Sequence, residues 1–284
     1  MGVVAQDSTE VFEFRGSGRI TNVYVATGPN LVEMRPAGLE DFRRLAPESE
    51  ILSADLSEYD QLSLYFPYPG VDMHAMLGIR FRHKAGEWMR NPELRFGVRY
   101  TRSVNVSNRI QYVEKFRFDT LTGAHNTVAY MDSVTVREVD MRYEYDVMRV
   151  GASVLFRTYA RGRWNIYGGL GMSLGAVLRS YTRISWSESH YEQMVLAYSA
   201  QSVDGPALEE QVVETHAGKR GFVLGLDLPL GLDFRLGNKK ELLKRMHLYA
   251  ELRPSLDFQF LKGLGNHAVP VYSQAFGLRI YTGK

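Results

Sequence analysis

Residues Phe222 to Leu236 read Phe-Val-Leu-Gly-Leu-Asp-Leu-Pro-Leu-Gly-Leu-Asp-Phe-Arg-Leu. Every second residue is large and apolar, while Gly225, Asp227, Pro229, Gly231, Asp233 and Arg235 lie between. A period of two puts all the bulk on one face of an extended strand; a helix would scatter it around its circumference. At about 3.3 Å per residue the stretch is roughly 50 Å long, well beyond an ordinary globular strand. A strand with one continuous apolar face and charges opposite suits a closed barrel in a bilayer, leucines toward lipid and charges toward the lumen.

The rest of the composition is compatible with that frame. The chain has 284 residues, 45% hydrophobic and 23% charged, an average that lumen residues of a barrel would dilute in this way. It has no apolar run long enough for a membrane-spanning helix. A net charge of +2 gives no argument for nucleic acid. The absence of cysteine excludes disulfides, thiolate metal sites and cysteine nucleophiles. Val4-Ala5-Gln6 resembles the junction left behind a cleaved export signal, so such a signal is expected upstream of this numbering.

We read residues 1–284 as one all-β domain, an eight-stranded antiparallel up-and-down transmembrane barrel, with residues 1–10 as a tail. A first strand is placed at Arg19–Thr27, with Leu62–Pro69 as its alternative. Residues 29–72 form a long first loop, in which Leu39, Phe42 and Leu45 mark a short amphipathic helix closed by Ala46-Pro47. Strands follow from Met76, from Leu94 outward to a tip at Thr122–Asn126, back through Tyr143 to Arg157, from Trp164 to Leu178, through Phe222–Leu236, from Leu248 to Phe260, and finally around Phe276–Ile280. The connections alternate long and short, as in barrels with long loops outside and short turns inside the envelope. Basic residues (His83, Lys84, Arg90, Arg161, Arg163, Lys239, Lys240) gather at the short turns, where Trp88 and Trp164 suit an interfacial belt. Acids gather in the long loops, an arrangement that would meet lipopolysaccharide through divalent cations.

The inward face is rich in arginine: Arg80, Arg95, Arg99, Arg149, Arg157, Arg179, Arg235, Arg253 and Arg279, with Asp227, Asp233, Glu251 and Asp257 as counter-charges. An eight-stranded barrel leaves room only for side chains, and buried guanidiniums must be paired, so these residues read as a plug. An anion-preferring channel or anion-binding site is the alternative that the arginine excess supports. Phe42, Tyr112, Tyr130, Tyr143 and Tyr191 are candidate contacts for a partner, since amphipathic aromatics suit protein interfaces.

No catalytic residue, cofactor or metal is assigned. The seven histidines have no metal-ligand spacing. Ser187-Glu188-Ser189-His190 holds triad residue types, and a lipid-modifying barrel enzyme would need His190 or His216. A soluble β-sandwich is the alternative fold.

Leu39-Glu40-Asp41-Phe42-Arg43-Arg44-Leu45-Ala46-Pro47, Met76-Leu77-Gly78-Ile79-Arg80-Phe81 and Trp164-Asn165-Ile166-Tyr167-Gly168-Gly169-Leu170-Gly171 carry a resemblance. The chain resembles the small eight-stranded outer-membrane barrels, the class that includes the OmpA transmembrane domain, and looks most like outer-membrane barrels of Bacteroidota. The resemblance implies a bacterial outer-membrane location and contact with outer-membrane lipid, lipopolysaccharide and other outer-membrane proteins. A non-enzymatic structural or accessory role, with no nucleic acid, is the corresponding expectation.

Overall fold

The computed structural model of the chain describes residues 20–32, 35–62, 69–80, 92–122, 128–158, 163–196, 199–202, 207–237 and 239–282. Eight antiparallel strands form its frame: β1 (Ile20–Val32), β2 (Pro69–Arg80), β3 (Pro92–Thr122), β4 (Val128–Arg157), β5 (Trp164–Leu196), β6 in two segments (Gly221–Asp227 and Leu230–Arg235), β7 (Met246–Leu261) and β8 (Gly265–Tyr281). Each pairs with its neighbours in sequence. The ring closes where β8 returns to β1, from Asn22↔Tyr281 to Val32↔Val271. Closure leaves no open edge in the described part of the ring, which is what allows a sheet to sit in hydrocarbon.

The stretch Phe222–Leu236 is nearly the single strand its alternation suggests. Leu228 and Pro229 interrupt the ladder because proline has no N–H to donate. Register survives the break, with Asp227↔Ser255 before it and Leu230↔Leu252 after it. Outward residues form an exposed apolar belt that includes Leu226, Leu230, Leu248, Leu252 and Phe276. On β5 the belt runs from Trp164 to Leu174, about 25 Å of height at a tilt near 40°, the thickness of a transmembrane barrel's apolar band. Trp164 opens it, its ring 4.4 Å from that of Phe234. No helix among the described residues is long and apolar enough to cross a membrane.

Two boundaries differ from the sequence reading. β1 continues through Pro29 to Val32 and β2 starts at Pro69, so the first connection is shorter at both ends than 29–72. The strand expected to end at Leu178 does not end there: β5 runs on to Leu196, and a strand at Ala207–Ala217 pairs back onto it. The turn after β6 contains one helical turn, Glu241–Arg245. Residues 1–10, the alternative first strand at 63–68, the turn at 83–87, Trp88 and the hairpin tip at 123–126 lie outside the described residues.

Candidate functional site

The site candidates fall into a lumen, a cap over its long-loop end, and a blade that stands beyond it. The lumen follows from alternation: residues between the belt leucines point inward, and those residues are arginines, acids, tyrosines and glycines. Nearest the cap, Arg99 donates to Asp72 at 2.7 Å and to Ser273 at 3.0 Å, and Arg149 donates to Asp257 at 2.6 Å. In the middle, Glu251 is the hub. It accepts from Arg95 at 2.6 and 3.2 Å, from Arg253 at 3.0 Å and from the Tyr167 hydroxyl at 2.8 Å. Arg253 also lies 3.7 Å from Asp227, and His74 and Tyr249 share a hydrogen bond of 2.9 Å. At the short-turn end, Arg157 donates to Asp233, Glu93 and the Tyr24 hydroxyl at 3.0, 3.2 and 2.7 Å. Tyr24 donates in turn to Glu93, and Arg80 donates to Glu93 at 3.0 Å. Arg279 lies 2.9 Å from Asp233, and His247 Nδ1 lies 2.6 Å from it.

The glycines of this wall make room for the network. A Cβ on Gly231 would lie 2.2 Å from the Tyr167 ring, and one on Gly225 would lie 2.7 Å from Ser173 Oγ. A cavity of about 10 Å³ between Arg99, Ser153, Ser173, Asp227 and Arg253 has room for about one water.

Above the charges the interior turns apolar. Two short helices of the first connection, α1 (Leu39–Leu45) and α2 (Glu50–Ser53), seat Phe42, Leu45 and Leu52 against Val106, Ile110, Val139, Met141, Tyr143 and Ile184. α1 occupies the residues expected of it. Glu214, on the strand beside β5, fastens this cap: it accepts from the Ile51 amide at 3.0 Å and pairs with His216 at 3.1 Å. Burial pushes the Glu214 carboxyl up, but hydrogen bonds from Ser49, His216 and Ile51 outweigh it and hold the group below its ordinary value.

Beyond the cap, β3, β4 and β5 stay paired for about twenty residues more, with the strand Ala207–Ala217 along the β5 side. Arg137 braces this blade, donating to Glu188 at 2.5 Å with its guanidinium over Tyr112. Arg117 covers Tyr130 at 4.0 Å and pairs with Asp132 at 2.9 Å. Phe116, Phe118 and Leu121 are exposed on β3, Phe116 by 67%.

Several residues sit where their sequence did not place them. Arg179 is exposed and outside the lumen. A bulge causes this: Asp146 pairs with Arg179 but Val147 pairs with Val177, and the extra residue Leu178 reverses the alternation beyond it. Phe42 and Tyr143 are buried in the cap and offer no surface to a partner, whereas Tyr112, Tyr130 and Tyr191 are half-buried. Glu93, Asp72 and His247 belong to the lumen network and were absent from the expected set. Alternation pointed to Glu93, two residues before Arg95 on one strand face. Ser187 and Ser189 alternate with Glu188 and His190 on β5, so serine and histidine point to opposite sides of the sheet. No group of three or more metal-binding side chains occurs among the described residues.

The closed ring, apolar belt and polar interior define an outer-membrane-type transmembrane β-barrel. No protein-family model and no curated protein sequence matches the chain. Among solved structures it is similar to Neisserial surface protein A (NspA), at 13% identity and a TM-score of 0.37, covering 94% of this chain and 99% of that one. It is also similar to Ail, the attachment invasion locus protein of Yersinia pestis, solved in complex with the heparin analogue sucrose octasulfate: 11% identity, TM-score 0.25, 92% of this chain and 100% of that one. A second Ail structure gives 12% identity and a TM-score of 0.23 over the same shares.

Proposed function

We propose that the protein is a non-enzymatic outer-membrane barrel that serves as a structural or accessory subunit of an envelope complex and contacts its partner through the blade. One observation carries this reading: among the described residues, the exposed aromatics Phe116 and Phe118 lie on a braced, four-stranded blade, while the middle of the barrel below is filled by paired charges and capped by an apolar plug. The helices of the first connection close the barrel, and among the described residues β3, β4, β5 and the strand Ala207–Ala217 are the elements that project. Pairing across Arg95, Arg99, Arg149, Arg157 and Arg253 supports a filled lumen rather than an anion pathway. Lipopolysaccharide and outer-membrane phospholipid surround the belt in this reading.

Purification of the tagged protein from native envelopes in mild detergent tests it. A stoichiometric outer-membrane partner whose co-elution is lost on Phe116→Ser with Phe118→Ser is the expected result. A barrel that elutes alone, or a partner retained by that variant, would contradict it.

A further inference from the structure

The arginine excess of this lumen is not spread evenly. Toward the cap and in the middle, Arg95, Arg99, Arg149 and Arg253 face Asp72, Asp227, Glu251 and Asp257, so four cations meet four carboxylates. At the short-turn end four arginines, Arg80, Arg157, Arg235 and Arg279, lie with only Glu93 and Asp233 as carboxylates among the described residues, and the first, second and fourth pair with these two. Among the described residues, two positive charges are left over there. Arg235 is half-buried and has no carboxylate in ion-pair reach among the described residues.

Hydrogen-bond donors are left over at the same place. Arg235 Nε, Arg80 Nη2, Arg279 Nε and Asn165 Nδ2 are buried without a hydrogen-bond partner among the described residues, and the Arg279 and Asn165 residues are each 1% exposed. All four side chains are on the inward face, and all come from the strand ends nearest the short turns. Water would satisfy the donors but would not neutralise the charge, and uncompensated buried guanidinium is costly. An oxyanion would do both, because forked guanidinium donors match its geometry. Arg80 and Arg235 are partly exposed, which gives access from the short-turn side. The exposed Lys240 and Arg245 beside them raise the local positive potential, Lys244 being paired with Glu241 at 2.6 Å.

We propose that the short-turn end of the lumen binds one oxyanion of the phosphate type, held by Arg80, Arg235, Arg279 and Asn165. The same chemistry describes a phospholipid headgroup phosphate from the surrounding leaflet and a soluble phosphate.

Equilibrium dialysis of the delipidated barrel in detergent with radiolabelled inorganic phosphate at low salt reads the site directly. One saturable site per chain is expected. Arg235→Gln is expected to weaken it about tenfold, the effect of losing one charge-assisted bond, and the Arg80→Gln, Arg235→Gln pair further. Arg179→Gln removes an exposed arginine outside the lumen and is expected to leave binding unchanged. Heat-modifiable mobility on gels confirms that each variant is folded. Native mass spectrometry from phosphatidylglycerol nanodiscs assigns the source. One retained phospholipid, lost in the double variant, means a headgroup; variant-sensitive phosphate binding without retained lipid means a soluble oxyanion. Either outcome supports the site. Absence of saturable binding of both, or binding that folded variants share with the wild type, overturns it.

Discussion

Glu251→Gln removes one charge from the middle of the barrel and leaves the shape of the side chain intact. Its carboxylate is fully buried and meets Arg95, Arg253 and Tyr167. Neutralising it leaves the Arg95 guanidinium without a carboxylate, while Arg253 keeps Asp227 at 3.7 Å. Removing one partner of a buried pair costs about 3–5 kcal/mol, because the other charge stays desolvated. We expect that range for Glu251→Gln. Replacing both charges, Arg95→Met with Glu251→Met, removes the uncompensated cation and is expected to cost less than Glu251→Gln alone, although the Tyr167 hydroxyl loses its acceptor. In the cycle of Arg95→Met, Glu251→Met and the two together, the coupling energy is then about 2 kcal/mol or more. Urea unfolding of protein refolded into phosphocholine vesicles measures these values, with tyrosine and tryptophan fluorescence and gel mobility as paired probes and an unchanged m-value as the check. A Glu251→Gln cost below about 1 kcal/mol, or additive single substitutions, would refute the reasoning that the lumen is held by compensated charge.

Other consequences follow from the same contacts. In planar bilayers the wild-type barrel is expected to be insulating, since the charges of the middle and cap side are paired and the cap is apolar; steady single-channel conductance would contradict a filled lumen. Glu214 has a lowered carboxyl pKa, so its contribution to holding the cap is fully present above its ordinary value of 4.5 and is lost as pH falls through the lower folded value. The protection factors of the 49–53 amides, corrected for the intrinsic pH dependence of exchange, should therefore fall at acid pH in the wild type, and be already lowered at neutral pH in Glu214→Ala. Gly231→Ala places a Cβ against the Tyr167 ring and is expected to destabilise by about 1–3 kcal/mol in the same urea assay.

How much of this was legible in the sequence depends on range. Alternation is a local property, so Phe222–Leu236 announced its belt and inward Asp227 and Asp233 before any neighbour was known. The inward arginines followed from the same parity as far as it held. It failed at Leu178, because one inserted residue in β5 turns Arg179 outward and has no signature in the sequence. Glu93 escapes the parity because a strand that begins at Leu94 leaves it outside, and Asp72 because a first loop of 29–72 takes it in. Phe42 and Tyr143 come from elements about a hundred residues apart, and only the tertiary fold brings them together in the cap. Which charges find which partners is likewise a property of the closed ring: Arg95 meets Glu251 across 156 residues of chain.

The most direct test of the blade as the contact surface is site-specific photo-crosslinking in native envelopes. A photoreactive residue at Phe116, exposed on the blade, is compared with one at Leu230, exposed on the belt. Adducts of one defined envelope protein from position 116, with lipid alone from position 230, are the expected result. Lipid or no adduct from both positions would contradict the blade as a partner surface.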